Sequence, residues 1–440
     1  MTGRLRPTPP FPRRAVTVAA ATAVCASLLA GCGSLTGTSG ATKDPVTVMT
    51  WAPEGTSATN MPGMPAMARA YARWVNENGG INGRELEVIT CNEHNDTVSA
   101  GRCARRAVAE EVAAVVGSYS QHGRAFMSPL ESEGIPYIGG YGVTDEEFTS
   151  PLSYPVNGGH ATLIAGSGRQ LAAQCERVTL VRPDTINGDQ MPSLISAGLA
   201  EGDREEASDV RAPEDASEYK RQSELALELL EVEDRGTEGA CVTAALGDRT
   251  DTFFDSFRRL RKDSEPIRLA SVLGSVQQSL VDRTGGSGSP FEGASITSWY
   301  PAADDPAWDT MRAVVREHAF SDNRVDVSDP GVQTTWIAYT VLHRLIESIH
   351  DGPVTGRSLR QALDSGIGAD GIDTGGLTPK LSWNYQDVLG AGDYPRIANT
   401  MVSFQEVRDG RLVASRDGFV NVAKTLERRY TYAQSRAAAE

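Results

Sequence analysis

Residues Val112–Thr144 read VAAVVGSYSQHGRAFMSPLESEGIPYIGGYGVT. The apolar run from 112 to 116 has the length and β-branched content of a buried parallel strand. Gly117 ends it, and Ser118-Tyr119-Ser120-Gln121-His122 forms a polar turn. A helix is predicted over about 124–132, with Phe126, Met127 and Leu130 on its apolar side. Gly134 stops it, and 135–138 is a second short strand tipped by Gly139-Gly140-Tyr141-Gly142. One βαβ unit thus presents two polar or glycine-rich strand ends. In an open α/β sheet, ligands bind beyond the carboxyl ends of the strands.

Working outward toward the N-terminus, strands are predicted at 46–50 and 86–91, and helices at about 62–78 and 97–111. Met64, Met67, Ala68, Tyr71, Trp74 and Val75 share one helical face and read as core. The result is β-α-β-α-β, half of a doubly wound fold. Past a crossover at Pro155–Gly159, the pattern repeats. Helices are expected near 160–174, 190–200, 218–231 and 251–261, and strands near 178–181, 242–246, 267–272 and 294–298. Two long helices follow at about 306–319 and 333–350, then a short one at 358–364. Asp409-Gly410 joins two runs that read as a terminal hairpin. The fold class is α/β, two doubly wound lobes.

The 440 residues are enough for more than one core, and 40% hydrophobic with 22% charged residues is ordinary globular composition. A net charge of -15 argues against nucleic acid as partner. Residues 1–31 read as an export signal. Arg4, Arg6, Arg13 and Arg14 form the basic region, and 15–30 is apolar but short for a membrane span. Leu29-Ala30-Gly31-Cys32 resembles a bacterial lipobox, with Cys32 as the lipidated residue. Removing the four arginines of this leader would take the net charge from -15 to -19. Residues 32–44, rich in Gly, Ser and Thr, read as a tether. The expected location is the outer face of the cytoplasmic membrane.

Four cysteines remain, Cys91, Cys103, Cys175 and Cys241, an even number suited to an oxidising compartment. Three pairings are open. Cys91–Cys103 is favoured because a strand end would meet the following helix, and Cys175–Cys241 because each precedes a strand. Each bridge would contribute about 3 to 4 kcal/mol through loop closure.

No GxSxG, P-loop, HExxH or CxxC occurs, and no GxGxxG follows a predicted strand. The six histidines show no metal-ligand spacing, and Glu146-Glu147 and Asp304-Asp305 read as solvated turns. No enzyme, cofactor or metal is expected.

Asn76–Gly83, NENGGING, followed by RELEVITCNEHND, resembles the glycine-rich turn of type I periplasmic binding proteins, in particular the branched-chain amino-acid-binding branch. Val115-Val116-Gly117, Glu133-Gly134-Ile135-Pro136, Pro395-Arg396 and Trp336-x-Ala338 fit the same pattern, and the resemblance spans roughly 45–420. It implies a two-lobed clamshell with three hinge crossings that delivers a small polar solute to an ABC permease. The implied division is lobe 1 from 45–157 plus 300–378, lobe 2 from 158–299 plus 379–420, and a polar tail at 421–440.

The resemblance also implies that a serine after the Val-x-Gly strand and the turn after the next strand hold a ligand carboxylate. The matching positions are Ser120 or Gln121, and Tyr141, Gly142 and Val143, with Asn60 contributing from the first loop. His160 stands where amino-acid-binding members carry an acid for the ammonium, and the Ser275 loop carries none. Tyr141→Ala is expected to weaken binding with little effect on the stability of the unliganded protein. Two other classes remain: a surface sensor on the same fold, and an extracytoplasmic enzyme.

Overall fold

Short apolar runs with side chains buried on both faces make parallel strands, and the first five pair in that way. They are β1 (Lys43–Ala52), β2 (Arg84–Asn92), β3 (Ala114–Val116), β4 (Tyr137–Ile138) and β5 (Ser153–Tyr154), in the order β2-β1-β3-β4-β5. Val48 is paired with Val88 on one side and Ala114 on the other. The computed structural model describes residues 43–231, 236–261, 266–367, 371–389 and 394–428. The export signal, Cys32 and nearly all of the tether lie outside the described residues.

β2 and β3 flank β1, so the chain winds away from β1 in opposite directions. The loops after β1 and β3 therefore part and leave a crevice at their carboxyl ends. Helices Gly63–Glu77, Thr97–Ala109 and Gly123–Glu133 cover the sheet with those of the late chain, Asp309–His318, Pro330–Ser348 and Gly356–Ser365. Tyr71 and Trp74 meet Trp336 at 5.0 and 5.6 Å between ring centroids. Gly139 allows this docking: its φ is +62°, and a Cβ there would lie 2.3 Å from the Ala338 Cβ.

The second sheet holds β6 (Arg177–Pro183), β7 (Ser208–Ala212), β8 (Ala240–Ala244), β9 (Arg268–Val272), β10 (Ser295–Ser298), β11 (Met401–Arg408), β12 (Arg411–Ala414) and β13 (Val420–Asn421). Its order is β12-β11-β10-β9-β8-β6-β7, with β13 also on β11. β7 through β10 form a parallel set with β6, and β11 and β12 form the expected hairpin, with Asp409 and Gly410 both at positive φ. β7 and β8 flank β6, so a second crevice opens beside the first. Phe253, Phe254 and Phe257 from helix Thr250–Leu260 fill the core against Val242 and Ile296.

The chain passes between the sheets three times, after β5, after β10 and before β11. Tyr300, in the second crossing, binds to the first crossing and to the strands β10 and β11. Its carbonyl accepts from Ser298 Oγ, Ser403 Oγ and Gln405 Nε2 at 2.6–3.0 Å. Its hydroxyl meets Asn157 Nδ2 at 3.1 Å and Thr334 Oγ1 at 2.9 Å. Asn399 Nδ2 donates to the Val156 carbonyl at 3.1 Å, joining the first crossing to the third.

Both favoured disulfides form: Cys91–Cys103 fastens β2 to helix Thr97–Ala109, and Cys175–Cys241 fastens the approach to β6 onto β8. Several local expectations change. β7 did not stand out in the sequence, since only Val210 and Ala212 of its five residues are buried. Trp383 Nε1 donates to the Pro155 carbonyl and Arg396 to that of Ser153, so residues beyond 378 still lie along the first sheet. The tail begins packed, with Val422, Thr425 and Leu426 buried.

Candidate functional site

The loops at the carboxyl ends of both sheets face one another and enclose a cavity of about 100 Å³. Thr59 (after β1), Tyr119 and Gln121 (after β3), and Tyr141 and Val143 (after β4) line it from the first sheet. His160 lines it from the first crossing. Glu214 (after β7), Leu246, Asp248 and Arg249 (after β8), and Gly274 and Ser275 (after β9) line it from the second.

The two walls touch. Arg249 Nη2 donates to the Ser57 carbonyl at 2.9 Å, and the Asn60 N–H donates to the Asp248 carboxylate. Gly274, at φ +87°, lies directly under the Tyr141 hydroxyl: a Cβ there would be 2.5 Å from that oxygen. Tyr141 is nearly fully buried, its ring edge-on to Tyr119 at 5.2 Å and to Trp299 at 5.3 Å. Its side chain is therefore part of the packing between the walls, and Tyr141→Ala would remove core.

Five of the eight expected positions, Gln121, Tyr141, Val143, His160 and Ser275, come together around the cavity. Gln121 Nε2 donates to Thr59 Oγ1 and to the Tyr119 hydroxyl, which fixes three lining side chains as a unit. Ser275 Oγ accepts from the Gly247 N–H at 3.1 Å and so holds the loop that carries Asp248.

The other three point elsewhere. Asn60 turns its side chain back onto Thr56, accepting from its N–H and donating to its carbonyl. Ser120 is buried and donates to Glu93 Oε2 at 3.0 Å, away from the cavity. Gly142 faces a smaller neighbouring hollow, which Val143 and His160 also line.

Glu147 corrects the solvated-turn reading. It is almost fully buried, and its carboxylate accepts from the backbone N–H groups of Gly142, Val143 and Thr144 at 3.0, 3.0 and 3.1 Å. Thr144 Oγ1 adds a fourth bond at 3.3 Å. Burial outweighs these bonds and pushes the Glu147 carboxyl up to about 7. The nest of amides at the β4 tip is thus occupied by the chain's own acid.

His160 opens helix Gly159–Ala172, and its backbone N–H donates to the Gly142 carbonyl at 3.0 Å. Its Nδ1 is buried with no hydrogen-bond partner among the described residues. Burial pulls the imidazole down to about 4, so it is neutral at pH 7. Partial desolvation in the cleft raises the carboxyls of Glu214 and Asp248 above their ordinary values. Among the described residues, no group of three His, Cys, Asp or Glu side chains could hold a metal ion, and no helix is long and apolar enough to cross a membrane.

Residues 49–382 match the model of a family described as periplasmic binding protein. The chain belongs to the periplasmic binding protein family. Its two sheets and three crossings are the type I fold of that family. Solved structures agree at the level of the fold. A branched-chain amino acid ABC transporter protein from Thermus thermophilus with bound valine superposes with a TM-score of 0.68 at 15% identity, covering 89% of this chain and 100% of that one. A solute-binding protein of an ABC transporter from Rhodopseudomonas palustris, in complex with 3,4-dihydroxybenzoic acid, gives 0.67 at 14% identity over 86% and 98% of the two chains. A fatty acid ABC transporter substrate-binding protein from Thermomonospora curvata gives 0.67 at 14%, over 88% and 95%. No curated protein matches the chain.

Within this periplasmic binding protein, Glu214, Asp248 and Arg249 are the charged lining residues that sequence reasoning missed. Gly247-Asp248 follows β8 as Ser118–His122 follows β3, so the same strand-end rule applied to the second lobe points to it. Glu214 carries no comparable signal, because it follows the one strand whose pattern was too polar to stand out.

Proposed function

We propose that the protein is an extracytoplasmic, lipid-anchored solute-binding protein that captures a small polar ligand between its lobes for an ABC importer. The cavity formed by the strand ends of two sheets, with three crossings behind it, carries this reading. The lobes are residues 45–157 with 300–398, and 158–299 with 399–420. They close on the ligand by rotating about the Tyr300 cluster. Gln121, Tyr141, Val143, His160 and Ser275 contact the ligand, together with Glu214 and Asp248. The ligand leaves chemically unchanged. Structures of the same fold hold valine or 3,4-dihydroxybenzoic acid, and another serves a fatty acid ABC transporter, so the fold alone leaves the chemistry of the ligand open.

A thermal-shift screen of the full chain over amino acids, amines, carboxylic acids, sugars and peptides tests the reading. A compound that raises Tm and is recovered intact supports it. Turnover of that compound, or no shift with any class, overturns it. The anchor is tested separately: Cys32→Ala moves the protein from the membrane fraction to the soluble fraction, and an unchanged distribution refutes lipidation at Cys32.

A further inference from the structure

Binding an anion in a cleft requires hydrogen-bond donors or cations left free to receive it. The first lobe has no such set at its β4 tip, because Gly142, Val143 and Thr144 give their N–H groups to Glu147. At the β3 tip, the Ser120 hydroxyl is committed to Glu93, whose other oxygen accepts from the Asn95 N–H. Both places where a ligand carboxylate could be cradled by backbone and hydroxyl groups are filled by buried acids of the chain itself.

The rest of the lining carries the opposite preference. Glu214 and Asp248 face the cavity from the second lobe. Among the described residues, Arg249 is the one cation in the lining; its Nη2 donates to the Ser57 carbonyl, its Nε is buried without a hydrogen-bond partner among the described residues, and together with Arg283 it offsets Asp248. The charge acting most strongly on Glu214 is its neighbour Asp215, another acid. By formal charge the lining is acidic by one, two carboxyls against one guanidinium. The rings of Tyr119 and Tyr141 belong to this lining, and aromatic faces attract cations. His160, whose Nδ1 is buried and without a partner among the described residues, lines the same cavity with a neutral imidazole. A neutral imidazole nitrogen can accept from an ammonium N–H and gives a carboxylate no charge to pair with.

We infer that this cleft takes a small ammonium-bearing ligand that lacks a carboxylate, an amine rather than an α-amino acid. The inference rests on the solute-binding reading and narrows its ligand class.

Matched triplets on one carbon skeleton test it by calorimetry on the full chain in detergent. One triplet is L-valine, 2-methylpropylamine and 3-methylbutanoate; a second is L-phenylalanine, 2-phenylethylamine and 3-phenylpropanoate. The amine of at least one triplet binds tenfold or more tighter than its amino acid and its acid. Glu214→Gln and Asp248→Asn each weaken that binding by tenfold or more without lowering the Tm of the unliganded protein. Tighter binding of either amino acid or either acid overturns the inference and assigns the carboxylate to Arg249, leaving the solute-binding reading in place. Binding of uncharged sugars or peptides alone has the same outcome for the inference. Absence of binding by every class overturns both readings together.

Discussion

Glu147 provides a test of whether burial or hydrogen bonding governs the amide nest at the β4 tip. Its carboxyl stands at about 7 against an ordinary 4.5, because burial opposes ionisation more than four hydrogen bonds favour it. A carboxyl whose folded value is raised stabilises the fold at low pH, and that contribution fades as pH rises through the folded value. The window is therefore about pH 4.5 to 7, and the change across it is roughly 3 kcal/mol. Glu147→Gln keeps the shape and cannot ionise. His160, shifted down by burial, has the opposite dependence, and Asp329, pushed up to about 6, has the same one. Both are present in wild type and variant and cancel in the difference. Urea unfolding from pH 4.5 to 8 should show the stability of wild type relative to Glu147→Gln falling by roughly 3 kcal/mol as pH rises. A difference that is flat, or that grows with pH, would refute the reasoning. Growth would mean that the N–H groups stabilise the carboxylate more than burial penalises it.

Three further outcomes are expected. Tyr141→Phe should leave unfolding stability within about 1 kcal/mol, whereas Tyr141→Ala should lose about 3 to 5 kcal/mol by emptying a site between Tyr119 and Trp299; denaturation midpoints distinguish them. Gly274→Ala places a methyl group against the Tyr141 hydroxyl and should hold the lobes apart, weakening ligand binding and enlarging the radius of gyration seen by solution scattering of the ligand-saturated protein. Replacing both Cys175 and Cys241 by Ser opens a 66-residue separation and should reduce stability by about 4 kcal/mol, against about 3 for the 12-residue separation of Cys91 and Cys103; paired urea titrations check the order.

Much of the fold is legible because burial leaves a periodic trace. The apolar run ending in Gly117 became β3, and the face bearing Met64, Met67 and Tyr71 is buried as its spacing implies. β7 left no such trace. It carries Asp209, which pairs with Arg182, a buried guanidinium whose Nε and Nη2 both donate to it at 2.9 and 3.0 Å. A strand held at the sheet edge by a charge pair reads as a polar loop until its partner 27 residues away is known.

The site divides along similar lines. Strand ends announced Tyr141, Gln121 and Ser275 as neighbours of one cavity. Nothing local distinguishes Glu147, which is buried, from Glu146, which is not, because the difference lies in which backbone amides the fold folds over it.

Tyr300, in the second connecting segment, reaches the first through its hydroxyl and β11, just past the third, through its carbonyl. On the solute-binding reading proposed above, these bonds, with that of Asn399 to the Val156 carbonyl, set the balance between open and closed forms. Apparent affinity then scales with the fraction of molecules already closed. Side chains around Tyr300 that never meet the solute accordingly belong among the determinants of how tightly it is held, and sequence drift there would retune affinity without altering which compound is recognised.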